Sequence, residues 1–337
     1  MSAEASVLFD APGPRAQRRN LILTVVSAAV LVAVLAVMGW QLKSKGQFAA
    51  NLWEPFLKPE VWTGYILKGL ANTLKAALVG SVLALVFGAV FGLARLSDHA
   101  WLRVPAGAVV EFFRAMPLLI LIFLAFFVPP SISPIIADGP LGNFQRVMVE
   151  TLGAPFGVEI SRGVVTVPAF AALVFGLVLY NGSVLAEVIR AGVQSIPRGQ
   201  SEAAYSIGMR KNQVMRMILL PQAITVMMPA IVSQMVVLLK DTALGFIIAF
   251  EDLTSYGFKI LPANYFNLLP AAFVISIIYI GLNMVLSGLA TKLEARTRRS
   301  AKVAAGTPSA AGMTATGRIT GDGGAVGAGG DGGTAGG

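Results

Sequence analysis

The chain has 337 residues, 55% of them hydrophobic and 13% charged, with a mean hydropathy of +0.73, values that exclude an ordinary water-soluble globular domain. Its formal charge is +9, but the basic residues punctuate apolar runs and form no single patch, which argues for membrane topology and against nucleic-acid binding. With no cysteine and one histidine, His99, the sequence excludes structural disulfides, thiolate metal sites and an HExxH zinc motif.

Residues 1–20 are polar and carry Arg15, Arg18 and Arg19; they form the predicted cytoplasmic N-terminal segment. Residues 21–40, Leu21 to Trp40, are apolar and end on an interfacial tryptophan. The run is longer than a signal-peptide core and no small-residue cleavage site follows it, so it reads as a retained first span. Further spans are predicted over Leu70 to Leu93, Ala106 to Val128, Val164 to Ile189, Ile218 to Leu239 and Leu268 to Leu289. The expected fold is therefore an all-α membrane protein with six transmembrane helices. Leu244 to Phe250 is too short to cross as a helix and reads as an interfacial or re-entrant segment. From residue 304 to 337 the chain turns to Gly, Ala and Thr, a composition that buries too little apolar surface to offset its ordering entropy, and a disordered cytoplasmic tail is expected.

Lys and Arg near span ends stay in the cytoplasm. Placing the N-terminus inside gives cytoplasmic segments with Arg95 and Arg103, with Arg190, Arg198, Arg210, Lys211 and Arg216, and with Lys292, Arg296, Arg298, Arg299 and Lys302. The opposite loops are poorer in cations and diluted by acids such as Glu54, Asp138, Glu159 and Asp252. Both termini are thus expected in the cytoplasm.

Ala76, Gly80, Ala84, Gly88 and Gly92 repeat every four residues along the second span. They make one stripe on which another helix can approach closely, suited better to packing within the subunit than to a dedicated dimer face. Ionisable residues in or near spans are functional candidates, because lipid makes them costly. Lys75, Glu111, Arg114, Glu187, Arg190, Lys240 and Asp241 qualify as translocation-path candidates. Glu111 with Arg114, and Glu187 with Arg190, are spaced to neutralise one another on a helix face. Self-neutralising pairs and snorkelling side chains give a purely structural account of the same residues. Arg114 and Lys75 are the cations expected to border the path of an anionic substrate.

The cytoplasmic stretch between the fourth and fifth spans, about 195–218, reads as helix, turn, helix: Glu202, Ala203, Ala204, three residues, Gly208, nine residues, Ile218, one residue, Leu220 and Pro221. Gly208 permits a left-handed turn, the two alanines leave the first helix thin enough for a groove on a partner, and Glu202 near its start suits the helix dipole. This spacing, EAA-x3-G-x9-I-x-L-P, resembles the signature of the membrane subunits of bacterial ABC importers of type I at every position. Ala186, Glu187, Arg190 and Gly192, then Ile196, Pro197, Gly199 and Gln200, resemble the polar-amino-acid branch, the histidine, glutamine and glutamate permeases. So do Gly69, Leu70, Thr73, Leu74 and Lys75; Phe113, Arg114, Pro117, Leu118 and Leu119; and Lys240 to Leu244, where Ala243 replaces the usual serine. Within that branch, the extra first span and Trp53, Glu54, Pro55 and Phe56 look most like the D-type permease of actinobacterial glutamate importers.

The resemblance covers about Gly69 to Ala290 and implies a five-helix importer core over 69–290, the first helix being additional. It implies a bacterial cytoplasmic-membrane location and an amino-acid substrate, with glutamate foremost. The implied partners are a cytoplasmic ABC ATPase dimer, a second homologous permease, an extracellular substrate-binding protein and membrane lipid. The coupling residues would be Glu202, Ala203, Ala204, Gly208, Ile218, Leu220 and Pro221. No GxxxxGK[ST] stretch occurs, so the subunit is expected to bind no cofactor and to be no enzyme, with ATP and Mg used by the partner ATPase. An ATP-independent secondary transporter or channel, or a membrane scaffold, would share the spans but not the cytoplasmic signature.

Overall fold

The computed structural model describes residues 13–136 and 139–304. Most of the predicted N-terminal segment, Asp138, the tail from residue 305 on and the side chains of Arg296, Arg298, Arg299 and Lys302 lie outside the described residues.

Among the described residues the nine longer helices carry the architecture: α1 (Pro14–Ser44), α2 (Leu67–Ala94), α3 (Ala100–Ala115), α4 (Leu118–Ile136), α5 (Pro140–Met148), α6 (Ala169–Gln194), α7 (Arg198–Ser206), α8 (Leu220–Asp241) and α9 (Leu268–Ala304). Six helical stretches among the described residues are long and apolar enough to cross a membrane, one each containing α1, α2, α4, α6, α8 and α9. The helices of the last five form the core, with α6 at its centre against α2, α4, α8 and α3. None of the residues of α1 is buried. Its apolar side chains, Leu21 to Trp40, have only lipid or another chain to cover them.

The stripe on α2 is an internal packing surface. Ala76, Gly80, Ala84, Gly88 and Gly92 are all buried, and a methyl group built on Gly88 would stand 2.7 Å from Leu185 Cβ and 3.1 Å from the Gly182 carbonyl of α6. The Ala172, Leu173, Leu177 and Leu185 side chains of α6 continue this contact into a core shared with Ile122 of α4 and with Leu238 and Leu239 of α8. Close backbone approach over small residues is the usual way helices associate without a hydrophobic driving force.

Two predicted spans are corrected. The run Ala106 to Val128 is not one helix: α3 ends at Ala115, Met116 is extended (φ −82°, ψ 136°), and α4 restarts after Pro117. Proline disfavours helical geometry at the residue before it, which breaks the helix at Met116. The run Val164 to Ile189 opens as a strand, not a helix. β1 (Glu159–Ser161) and β2 (Val164–Thr166) form an antiparallel hairpin, with Glu159 opposite Thr166, and α6 begins only after Pro168. The buried Ser133 hydroxyl accepts from Val165 N–H at 2.9 Å and ties β2 to α4.

The short apolar run after α8 is a tight 3-10 turn, Thr242–Ile248, stopped by left-handed Ala249 (φ 59°). Its Gly245, Ile248 and Phe250 are buried, so it packs on protein as expected of a non-spanning segment. The chain beyond it is pinned to α2: Asn72 Nδ2 donates to the Glu251 carbonyl at 2.8 Å, and Leu253 N–H donates to Thr73 Oγ1 at 3.0 Å. Asp252 is fully buried there and accepts from Ser255 N–H at 2.8 Å and from the Tyr279 hydroxyl at 3.4 Å.

Candidate coupling loop and charged network

The loop between α6 and α8 folds as its spacing suggests. Pro197 starts α7 and Gly208 (φ 81°) ends it, with Gly208 N–H donating to the Tyr205 carbonyl at 2.9 Å and Met209 N–H to the Ala204 carbonyl at 3.2 Å. A left-handed residue is what this closing geometry needs, and glycine adopts it without strain. A second short helix, Lys211–Val214, follows, and a wide-turn stretch, Met215–Leu219, leads into α8 with Pro221 in its first turn. Pro221 sits where a missing N–H costs nothing.

Within the motif the two alanines differ. Ala204 is buried under α7, whereas Glu202 and Ala203 are exposed. Ile207 is 78% exposed and Tyr205 is exposed beside it, an apolar tip that the sequence reading passed over. Glu202 lies a full turn inside α7, whose first turn holds no acid, so the dipole role expected for it is corrected; the field of a helix end fades within that turn. Ile218 falls in the wide-turn stretch and Leu220 opens α8. Lys211 forms an ion pair with Asp98 and so joins this loop to the turn between α2 and α3. That hydrogen-bonded contact holds the Asp98 carboxyl below its ordinary value.

Four of the seven charged candidates meet in one network, and its hub is a residue noticed only for topology. Arg95, at the end of α2 and with a side chain 13% exposed, donates through Nη1 to Glu187 Oε2 at 2.9 Å and through Nη2 to Glu111 Oε1 at 3.1 Å. Arg190 Nε donates to Glu187 Oε2 at 3.1 Å, and Arg114 Nη1 stands 3.9 Å from the same oxygen. The expected Glu187 and Arg190 pair is therefore present, but the pair of Glu111 with Arg114 that spacing alone suggested is not formed, and Glu111 pairs with Arg95 instead. The cause is the direction of α3. Glu111 lies about 18 Å along the helix from His99, yet Arg95 reaches it, so α3 leans across the ends of α2 and α6 instead of climbing beside them.

The other three candidates stand apart from this network. Lys75 Nζ lies 5.0 Å from the centre of the Phe170 ring, a cation–π contact that steadies an otherwise exposed ammonium. Asp241, the last residue of α8, accepts from Asn181 Nδ2 at 3.3 Å, and Asn181 Oδ1 in turn accepts from Gln234 Nε2 at 2.6 Å. Lys240 is exposed. The polar chain through Asn181 and Gln234 went unseen in the sequence, since lone amides in apolar runs carry no spacing signal. Among the described residues no group of acids, histidines or cysteines is gathered to hold a metal.

Comparison with known proteins fits this architecture. Residues 66–299 match the family described as binding-protein-dependent transport system inner membrane component. The chain is 40% identical over 257 residues to the glutamate transport system permease protein GluD of Corynebacterium glutamicum, covering 76% of this chain and 84% of that protein. It is 31% identical to the probable glutamine ABC transporter permease protein GlnP of Bacillus subtilis, covering 70% of this chain and 93% of that one. Among solved structures, an amino acid ABC transporter with histidines superposes with a TM-score of 0.56 at 28% identity, covering 70% of this chain and 95% of the other. An inward-facing methionine transporter, MetNI, shares the fold with a TM-score of 0.52 at 19% identity. Such permeases are transport components and not enzymes, and nothing in these similarities favours an ATP-independent carrier. The chain is a multi-pass membrane protein that belongs to the binding-protein-dependent transport system inner membrane components, as an amino-acid permease of the ABC importer type.

Proposed function

We propose that this permease carries polar amino acids, glutamate foremost, inward across a bacterial cytoplasmic membrane. It pairs with a second homologous permease, receives substrate from an extracellular binding protein and is driven by an ABC ATPase dimer that uses ATP and Mg. The observation that carries the coupling reading is the exposed face of α7: Glu202, Ala203, Tyr205 and Ile207 project from a helix closed by Gly208 and anchored by buried Ala204. An apolar tip on a short helix suits a groove on a partner. The alternation of basic loops supports a cytoplasmic location for this loop, on the side where an ATPase resides, with both termini on the same side.

The break between α3 and α4 supports the reading of Arg114 as a path residue. Interrupted helices in transporters present charge and unwound backbone to the substrate; Arg114 sits in the last turn of α3, two residues before the break at Met116, with its side chain 45% exposed, and its carboxylate partner is distant at 3.9 Å. In this reading Glu187, Glu111 and Arg190 hold that arginine's surroundings, and Lys75, Lys240 and Asp241 border the opposite end of the path.

The test is transport by the complete complex. Proteoliposomes holding this chain, its partner permease, its ATPase and its binding protein should take up radiolabelled glutamate only when ATP is supplied, with excess glutamine or arginine competing poorly. Uptake without ATP would refute the coupling assignment. ATP-dependent uptake of another amino acid in place of glutamate would refute the substrate assignment alone.

A further inference from the structure

Where α2, α3 and α6 meet, a cleft of 490 Å³ opens, lined by Arg95, Arg103, Val104, Gly107, Glu111 and Arg190 among others. Around it the guanidinium groups of Arg95, Arg103, Arg114 and Arg190 outnumber the carboxylates of Glu111 and Glu187. Arg95 and Arg190 are engaged by those carboxylates. Arg103 is exposed, and among the described residues it donates only to the Ser97 carbonyl, at 3.4 Å; the nearest acid it acts on, Asp98, is already paired with Lys211. The cleft thus holds positive charge beyond what its own acids neutralise.

The rim has the opposite character. Val104, which lines the cleft, is 63% exposed; Trp101 on the same helix is 74% exposed, and Phe112 is exposed further along. A leaning helix that buries Ala106 and Val110 while turning a tryptophan and other apolar side chains outward belongs at the boundary of headgroups and acyl chains. A free anion or an acidic protein segment would satisfy the arginines and leave this rim in water. An amphiphile satisfies both. We propose that the cleft is a binding site for one anionic phospholipid, with its phosphate held by Arg103 beside Arg190 and its acyl chains lying along the exposed face of α3. Basic pockets between transmembrane helices are suited to such headgroups. The bound lipid would brace α3 against α2 and α6 through the same charges that hold the network together.

The test uses the assembled transporter with all its subunits. After purification in mild detergent, native mass spectrometry measures the phosphatidylglycerol retained, and uptake is compared in vesicles of phosphatidylethanolamine alone and mixed with phosphatidylglycerol. Arg103→Gln removes the free charge without touching the ion pairs, and Gly107→Leu fills the cleft without changing charge; the space beside Gly107 holds only Arg95 Nε, at 3.9 Å. Wild type should retain phosphatidylglycerol, Arg103→Gln should lower its affinity about fivefold, the worth of one basic residue at the surface, and Gly107→Leu should abolish retention. Arg18→Gln, a cation on α1 that does not line the cleft, should change nothing. Equal lipid retention by wild type, Arg103→Gln and Gly107→Leu would overturn the proposal. So would displacement of the lipid by millimolar inorganic phosphate, which would make this a site for small anions.

Discussion

The packing of α2 on α6 yields the sharpest stability test, because two glycines of one stripe meet different neighbours. A methyl group on Gly80 would lie 3.4 Å from Leu238 Cδ2 and 3.5 Å from Leu177 Cδ1, ordinary contacts with the ends of flexible side chains. On Gly88 the same methyl would lie 2.7 Å from Leu185 Cβ, 3.1 Å from the Gly182 carbonyl oxygen and 3.2 Å from the Ala186 nitrogen, and backbone cannot step aside. Both Gly→Ala changes gain the same helix propensity, about 0.8–1.0 kcal/mol in a soluble helix, so this term cancels when the two are compared. What remains is the overpacking at Gly88, about 1–3 kcal/mol. Gly80→Ala should therefore equal or exceed wild type, and Gly88→Ala should be less stable than Gly80→Ala by about 1–3 kcal/mol. Heating the detergent-purified complex and measuring the fraction still assembled separates them. Coincident melting of the two variants would refute the claim that α2 and α6 touch backbone to backbone.

Three further outcomes are expected. Arg95→Gln leaves Glu111 and Glu187 without their shared partner and should cost about 2 kcal/mol, typical of hydrogen bonds to charged groups; a double-mutant cycle with Glu111→Gln should show coupling, and strict additivity would refute the hub. Burial pushes the Asp252 carboxyl above its ordinary value despite its hydrogen bonds. The folded protein thus keeps this proton to higher pH than the unfolded chain, and its stability should fall as pH rises from about 4. Asp252→Asn should flatten that slope, and an unchanged pH profile of melting would contradict the burial argument. Arg114→Gln and Lys75→Gln should each raise the KM for uptake at normal membrane levels, and wild-type uptake by both would remove them from the path.

Spans and loop chemistry were legible because they rest on local signals: twenty-residue apolar runs, a glycine at a left-handed turn, small residues every fourth position. The α2 stripe was readable as a packing face for that reason. The two misplaced spans turn on prolines whose effect is equally local. Pro117 splits Ala106 to Val128, and Pro168 delays α6 behind a hairpin, yet in both cases hydropathy averaged over a window hides the break. The charged network was only half legible. Spacing correctly joined Glu187 to Arg190, since both ride one helix, but no spacing rule relates Arg95 to Glu111 and Glu187, on two other helices. That link depends on the lean of α3, a tertiary property. The polar chain Gln234, Asn181 and Asp241, of which Asn181 alone is fully buried, is hidden for the same cause.

The central claim is that the exposed face of α7 receives the work of the ATPase. Ala203 tests it most directly, because its side chain is exposed and a larger one there costs the fold nothing. In reconstituted complexes, Ala203→Arg should abolish ATP-driven uptake while the permease stays in the membrane and melts like wild type. Wild-type uptake by that variant would contradict the account.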